Sequence, residues 1–512
     1  MKNAYRFVFG LLALTLGAWV NADVVNVPAD GAGSIDAATI VAPMAPDTTV
    51  WVQNTFGNEI ELYSGTTPSV PSGSQGLIIG GTENTAQIKV ITNCLQNLGQ
   101  TTVMNNGTLT VSGSDGTVDY FDKNLTISGG SVLVKKSVYS MRNGANVTIS
   151  GGSLEFLGKF RVGYDSAATF DQTDGTVTPS SGILSIGYKN GSNGKYTLSG
   201  GTLTSSQEIR IGEQNGSVGI LDISSTGTVS STANISIGVE SGATGTLKMT
   251  GGTVNASSNI YIGLNSGSTG TLDMAGGTVN SSTSLRIGSS GSGTFNLSNG
   301  EFIESAGWIN LGYEASGKGE MTVNGGTLTY TVNDLRVGRA GEGLLKLESG
   351  TINLGSKALV MGYYEGSTGE FTMSGGTLTA NALTLGDKVA TETKPGAVGR
   401  ATFTNGVNQN FPGNIVVANY GTGTLTVDNA TLNTSGYLYI GYKAGGNGEV
   451  ILKNGAILAP TSHSVRVGEA GTGALTIESN ALYTGNEIYV GSGATGVGTF
   501  TVAVPDKPIR EA

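Results

Sequence analysis

Between Asn259 and Ser284 apolar and polar residues alternate in three short bursts. Ile260 and Ile262 flank Tyr261, and the burst ends at Gly263. After a Gly/Ser turn, Leu272 and Met274 flank Asp273, Gly276 and Gly277 make a corner, and Val279 opens the third burst. The pattern restarts at Ser284-Leu285-Arg286-Ile287-Gly288. Period-2 alternation predicts strands with one face buried, and none of the bursts has the length or period of a helix.

The glycine that closes the first burst recurs at Gly163, Gly187, Gly212, Gly238, Gly263, Gly288, Gly312, Gly338, Gly362, Gly386, Gly441, Gly468 and Gly491, with Ala418 in its place once. The spacing is about 25 residues, a period that marks a stacked array. Looser copies begin at Gly107-Thr108-Leu109-Thr110-Val111 and continue through Leu125–Gly130 and Val147–Gly152. Two or three inward residues per burst cannot enclose a core, so each unit must bury its apolar face against its neighbours. The chain is therefore expected to be all-β, a right-handed parallel β-helix (a β-solenoid) with three short strands per rung. About 14 rungs are clear and several are degenerate. Leu198, Ile223, Met249, Met274, Leu297, Val323, Leu347 and Met373 then form one inner column. Reading Gly276-Gly277 as a hairpin turn is the other possible architecture, but it leaves the first strand without a role.

Four regions follow. Residues 1–22 read as a signal peptide, with Lys2 and Arg6 as the basic start, Phe7 to Val20 as the apolar core and cleavage after Ala22. Residues 23–100, punctuated by Pro28, Pro43, Pro46, Pro68 and Pro71, read as an N-terminal cap. Residues 101–502 are the repeat, and 503–512 a polar tail whose start leaves the last rung without a third strand. Composition adjusts this picture in two ways. Glycine contributes 83 of 512 residues without an every-third period, and charged residues only 12%, so Ser, Thr, Asn and Gly make most of the surface. The formal charge of −10 becomes −12 once residues 1–22 are removed, which disfavours nucleic acid and anionic membrane as partners. No membrane span is expected after cleavage, and Cys94, the sole cysteine, permits no internal disulfide.

The stretch Leu184-Ser185-Ile186-Gly187-Tyr188, running on to Gly200-Gly201-Thr202-Leu203, resembles a bacterial repeat of type V autotransporter passengers and PEP-CTERM exported proteins, as does Leu438-Tyr439-Ile440-Gly441-Tyr442. The resemblance spans about Gly107 to Val502. It implies an exported β-helical protein of adhesive or unassigned role, placed in the periplasm, at the cell surface or outside a Gram-negative-type bacterium. The tail Val504-Pro505-Asp506-Lys507-Pro508 departs from the sorting motif of the second group, and no C-terminal barrel is expected.

Candidate chemistry is sparse. Many parallel β-helices act on polysaccharides, and a glycosidase needs two carboxylates at a set separation. The outward position of the second strand reads Asp171, Thr197, Asp222, Lys248, Asp273, Asn296, Thr322, Lys346 and Thr372, which separates like charges as a solvated ladder does. Asp165, Asp171 and Asp174 are the densest acids, and His463 lies alone in a loop. No cofactor, metal or catalytic constellation is expected. The outward column of the first strand is richer: Arg161, Arg210, Tyr261, Arg286, Arg336, Tyr439, Arg466 and Tyr489, interleaved with Ser, Asn, Thr and Val. Just past the glycine, Tyr164, Tyr188, Tyr313, Tyr363 and Tyr442 recur. Rings stack on sugars and guanidiniums meet carboxylates, so this face is the candidate for glycans, although Arg and Tyr also suit a merely structural exposed sheet. The stacked Asn255 and Asn280 point to an amide ladder. The insertion Asp387–Arg400 is read as drift or as a second binding element.

The expected function is an exported, secreted, non-enzymatic, adhesin-like surface stalk. Its partners would be polysaccharides, cell-surface glycans or neighbouring surface proteins, bound by many weak contacts. A carbohydrate-active enzyme, lyase or hydrolase, is the alternative.

Overall fold

The structure is a computed structural model. It describes residues 118–503 except 389–395 and 479, together with strands Ala22–Asn26, Thr49–Gln53, Glu59–Glu61, Gly76–Ile79, Ile88–Thr92, Thr101–Val103 and Gly107–Val111. Every described element is a strand, and every strand pairing is parallel to the rung before or after it. The chain is a parallel β-solenoid with the rung spacing expected from the repeat.

First strands are three or four residues long. Ile260–Ile262 pairs with Ile235–Ile237 above and Ser284–Ile287 below, residue for residue at its repeat position. Sixteen of them form one sheet, which at about 4.8 Å per rung runs roughly 72 Å. Second and third strands share a 27-stranded sheet. In Thr269–Ser281, Ser292–Glu304 and Lys318–Tyr330 they fuse into one bent strand, with register breaks around Ala275 at the corner. Toward the C-terminal end the third strands separate, and Asn408–Phe411, Thr431–Thr434, Ile457–Pro460 and Leu482–Tyr483 form their own sheet.

The inner column runs as the alternation requires. Leu198, Ile223, Met249, Met274, Leu297, Val323, Leu347 and Met373 are successive register partners, none more than 2% exposed. Full burial of each is worth about 1.5–3 kcal/mol, and only the neighbouring rungs can provide it. Near the first rungs the core is aromatic: the Phe156 and Phe160 rings stack at 3.9 Å, and Phe170 lies 4.3 Å from Tyr196. The fully buried Tyr196 donates its hydroxyl hydrogen bond to Gln172 Oε1 at 2.6 Å, so one polar pair sits inside the apolar stack.

Two glycine columns make the corner after the first strand, for different reasons. Gly263 has φ +69, a left-handed conformation costly to side-chain-bearing residues, and a Cβ there would lie 2.3 Å from the Ser292 carbonyl oxygen. Gly270 needs no special φ; its Cβ would meet the Ile237 carbonyl oxygen at 2.2 Å, so room alone selects glycine. Ala418 takes the marker position at φ +64 and carries the strain its neighbours avoid.

Strands within the region expected as a cap stack like rungs. Ala22–Asn26 pairs with Thr49–Gln53, which pairs with Gly76–Ile79, and that in turn with Thr101–Val103. Glu59–Glu61, Ile88–Thr92 and Gly107–Val111 form a second parallel series. Ala22, the expected cleavage residue, begins the first of these strands. The rest of the expected signal peptide, the prolines and Cys94 of residues 23–100, most of the insertion after Lys388 and nearly all of the tail lie outside the described residues. Among the described residues no helix is long and apolar enough to cross a membrane.

Candidate binding face

Alternation sends the middle residue of each first strand outward, and parallel in-register stacking lines these residues up. The ladder runs Arg161, Ser185, Arg210, Ser236, Tyr261, Arg286, Asn310, Arg336, Val360, Thr384, Val416, Tyr439, Arg466, Tyr489, each the register partner of the next. All eight residues singled out from the sequence therefore share one line.

Outward does not mean exposed, however. Arg161 is 8% exposed, Val360 6%, Ser185 and Asn310 2% and Ser236 0%. Side chains from the turn after the marker glycine fold back over the sheet and make a second layer. The Arg161 guanidinium lies 3.6 Å from the Tyr188 ring centre and 5.5 Å from that of Tyr164. Tyr164 and Tyr188 stack at 5.4 Å, and Lys189 Nζ donates to the Tyr164 hydroxyl at 2.6 Å. That hydrogen bond holds the Tyr164 phenol below the usual tyrosine range.

Arg210 is neutralised within its own rung. Its Nε donates to Glu208 at 2.8 Å and one η nitrogen to Glu213 at 2.7 Å. The Ser185 hydroxyl from the preceding rung donates to Glu213, and Ser236 from the following rung donates to Glu208 at 2.6 Å.

Arg286 and Arg336 are held differently. Arg286 lies over Tyr313 at 3.9 Å and Tyr261 at 5.3 Å, and Arg336 over Trp308 at 3.9 Å and Tyr363 at 4.0 Å. The rings come from the rungs on either side. Neither arginine has an ion pair or hydrogen bond among the described residues, and both are half-buried. Arg339 joins the patch, donating to the Tyr313 carbonyl at 2.8 Å with its guanidinium 3.9 Å from that ring. Cation–π contacts of this kind are worth about 0.5–1 kcal/mol when partly exposed.

At the C-terminal end Tyr439, Arg466 and Tyr489 meet residues the sequence did not group with them. Tyr437 packs 5.3 Å from Tyr439 and 4.4 Å from His463, and Arg466 donates to Glu469 at 2.9 Å. The Tyr489 hydroxyl donates to Glu487 at 2.9 Å. His463 Nδ1 donates to the Ser435 carbonyl at 2.8 Å, which leaves Nε2 as the acceptor of the neutral ring. A cleft of about 420 Å³ opens here, lined by Tyr437, His463, Arg466, Glu487 and Tyr489.

Sequence reading missed Trp308 and Tyr437 as members of this face. Both lie two residues before a ladder position, as Glu208 and Glu487 do, so period-2 alternation carried along one more step would have found them. Tyr364 and Arg339 come from the turn and have no such periodic signal.

Other candidate residues settle into structural contacts. Asn280 Nδ2 donates to Asn255 Oδ1 at 2.9 Å, the expected amide ladder, and Asn433 repeats it onto Asn408 at 2.8 Å. On the second-strand ladder Asp222 pairs with Lys195 at 3.9 Å and Asp273 accepts from Asn296 at 2.6 Å. Asp174 accepts from its own corner, the Gly175 amide, at 2.7 Å, and Asp165 accepts from Ser166. Among the described residues no group of three or more His, Cys, Asp or Glu is placed to hold a metal. Compared with family models, curated proteins and solved structures, the chain matches none.

Proposed function

We propose that this chain is an exported surface stalk that works by repetition: a stiff solenoid carrying an aromatic and cationic stripe that holds glycans through many weak contacts. The observation behind this reading is the in-register outward ladder of the first-strand sheet, overlaid by tyrosines and broken into three aromatic–cation patches. A rigid rod presenting patches at fixed intervals turns each additional contact into an intramolecular one, so avidity grows with ligand length. The reading also draws on the resemblance to exported bacterial repeats. It takes the chain as non-enzymatic, with the acids of the second-strand ladder tied to Lys195 and Asn296.

The test is retention of the full chain on immobilised polysaccharides against oligosaccharides of the same sugar. Affinity that climbs steeply with polymer length supports the stalk. Equal affinity for a short oligosaccharide, or release of reducing ends or unsaturated products, overturns it.

A further inference from the structure

We infer that the patch around Arg286 and Arg336 is a site for an acidic polysaccharide that carries one carboxylate on every second sugar. This rests on the glycan-binding reading above and narrows it to one place and one ligand class.

The argument begins with charge. Of the five ladder arginines, Arg210 and Arg466 are ion-paired within their rungs, and Arg161 is buried under rings. Arg286 and Arg336 combine partial exposure with the absence of any acidic partner among the described residues. Their rings do not neutralise them. Tyr261 and Tyr313, and Trp308 and Tyr363, restrict where each guanidinium lies while leaving its charge unmatched. A long side chain restrained before the ligand arrives loses less freedom on binding. Guanidinium is also the group that grips a carboxylate with two parallel hydrogen bonds.

A second observation lies beneath the rings. Between the two arginines in the ladder stands Asn310, 2% exposed, whose Oδ1 has no hydrogen-bond partner; the Nε atoms of Arg286 and Arg336 are likewise buried and unpaired. Three consecutive rungs thus carry an unsatisfied polar atom, a cost of about 1–3 kcal/mol each that a purely structural layer has no reason to accumulate.

Spacing then selects the ligand. Arg286 and Arg336 are two rungs apart, about 9.6 Å along the sheet, close to the length of an extended disaccharide. Carboxylates on alternate sugars fall in step with the arginines, and the sugars between them lie over Trp308 and Tyr313, whose ring faces suit the apolar face of a pyranose. A nucleic acid is a poor match, because it presents a charge about every 1.7 Å of axis to two sparse cations on a chain of net charge −10.

The experiment measures retention of the full chain on hyaluronan, whose carboxylates alternate along the polymer, on methyl-esterified hyaluronan, on dextran and on single-stranded DNA. The expected result is retention on hyaluronan that is lost on esterification, absent on DNA and weakened as salt rises. Arg286→Gln with Arg336→Gln should weaken it by roughly tenfold for each arginine removed. Arg210→Gln should leave it within about twofold, because that charge is already paired. The esterification arm leaves the protein untouched, so it decides the matter even if the double variant folds poorly. Retention of the esterified polymer or dextran equal to that of hyaluronan overturns the inference and leaves the broader glycan reading standing. Unchanged binding by a folded double variant, or equal binding to DNA, also overturns it. No retention on any polysaccharide overturns both readings.

Discussion

Arg210 and Arg286 stand on the same outward ladder, three rungs apart, on backbone of the same register and length. Around Arg210 the chain places Glu208 two residues before and Glu213 three residues after, and two serines from adjoining rungs complete a closed hydrogen-bonded set. Around Arg286 the neighbours are rings, supplied by the rungs on either side. One arginine is neutralised within its rung. The other keeps its charge and is held in place by the stack. A solenoid position therefore does not carry a function by itself; the residues two before and three after it, and their copies in the neighbouring rungs, decide what it does.

The largest effect should come from disturbing the rung on which the second arrangement depends. Gly288 has φ +65, and a Cβ there would lie 2.1 Å from the Lys318 carbonyl oxygen, so Gly288→Ala is expected to cost about 3 kcal/mol or more and to shift Arg286 relative to Tyr313. Thermal unfolding, read beside the near-ultraviolet signal of the aromatic layer, measures both; a wild-type midpoint would break the account of the corner. Next comes the closed set: Glu213→Ala removes a carboxylate 7% exposed and strands both Arg210 and Ser185, with an expected loss of about 2–3 kcal/mol in urea unfolding. The ring-held arginines should matter less to folding. Arg286→Gln with Arg336→Gln is expected to cost only about 1 kcal/mol, since partly exposed cation–π contacts are all it loses. If that double variant proves less stable than Glu213→Ala, the contrast between the two regions is wrong. The smallest effect is expected where neither device is present. Ala418, between Val416 on the ladder and the next rung, sits at φ +64, and Ala418→Gly should stabilise by about 0.5–1 kcal/mol with no change in ligand retention.

Much of the molecule could be read before its structure. Alternation around Ile260, Tyr261 and Ile262 identified strands, and the repeat of Gly263 at Gly288 and Gly312 set the rung length. Together they determined which residues face inward, because a parallel rung stacks like on like. The amide pair Asn255 and Asn280 was legible for the same reason. Gly270 was harder to interpret. Its repeat was visible, but its cause is a collision with Ile237 of the previous rung, which spacing cannot show.

Composition and period by themselves thus determined the all-β parallel solenoid, its rung of about 25 residues, its inner column and the membership of its outward ladder. Only tertiary structure decided which members of that ladder retain an available charge. The turn residues Tyr188, Glu213, Tyr313 and Tyr363 occupy equivalent places after their marker glycines, yet Glu213 closes a salt bridge in its own rung while Tyr313 and Tyr363 cross to a neighbour. Side-chain length and chemistry, acting across rungs about 25 residues apart in sequence and about 4.8 Å apart in space, make that choice, and no local pattern encodes it.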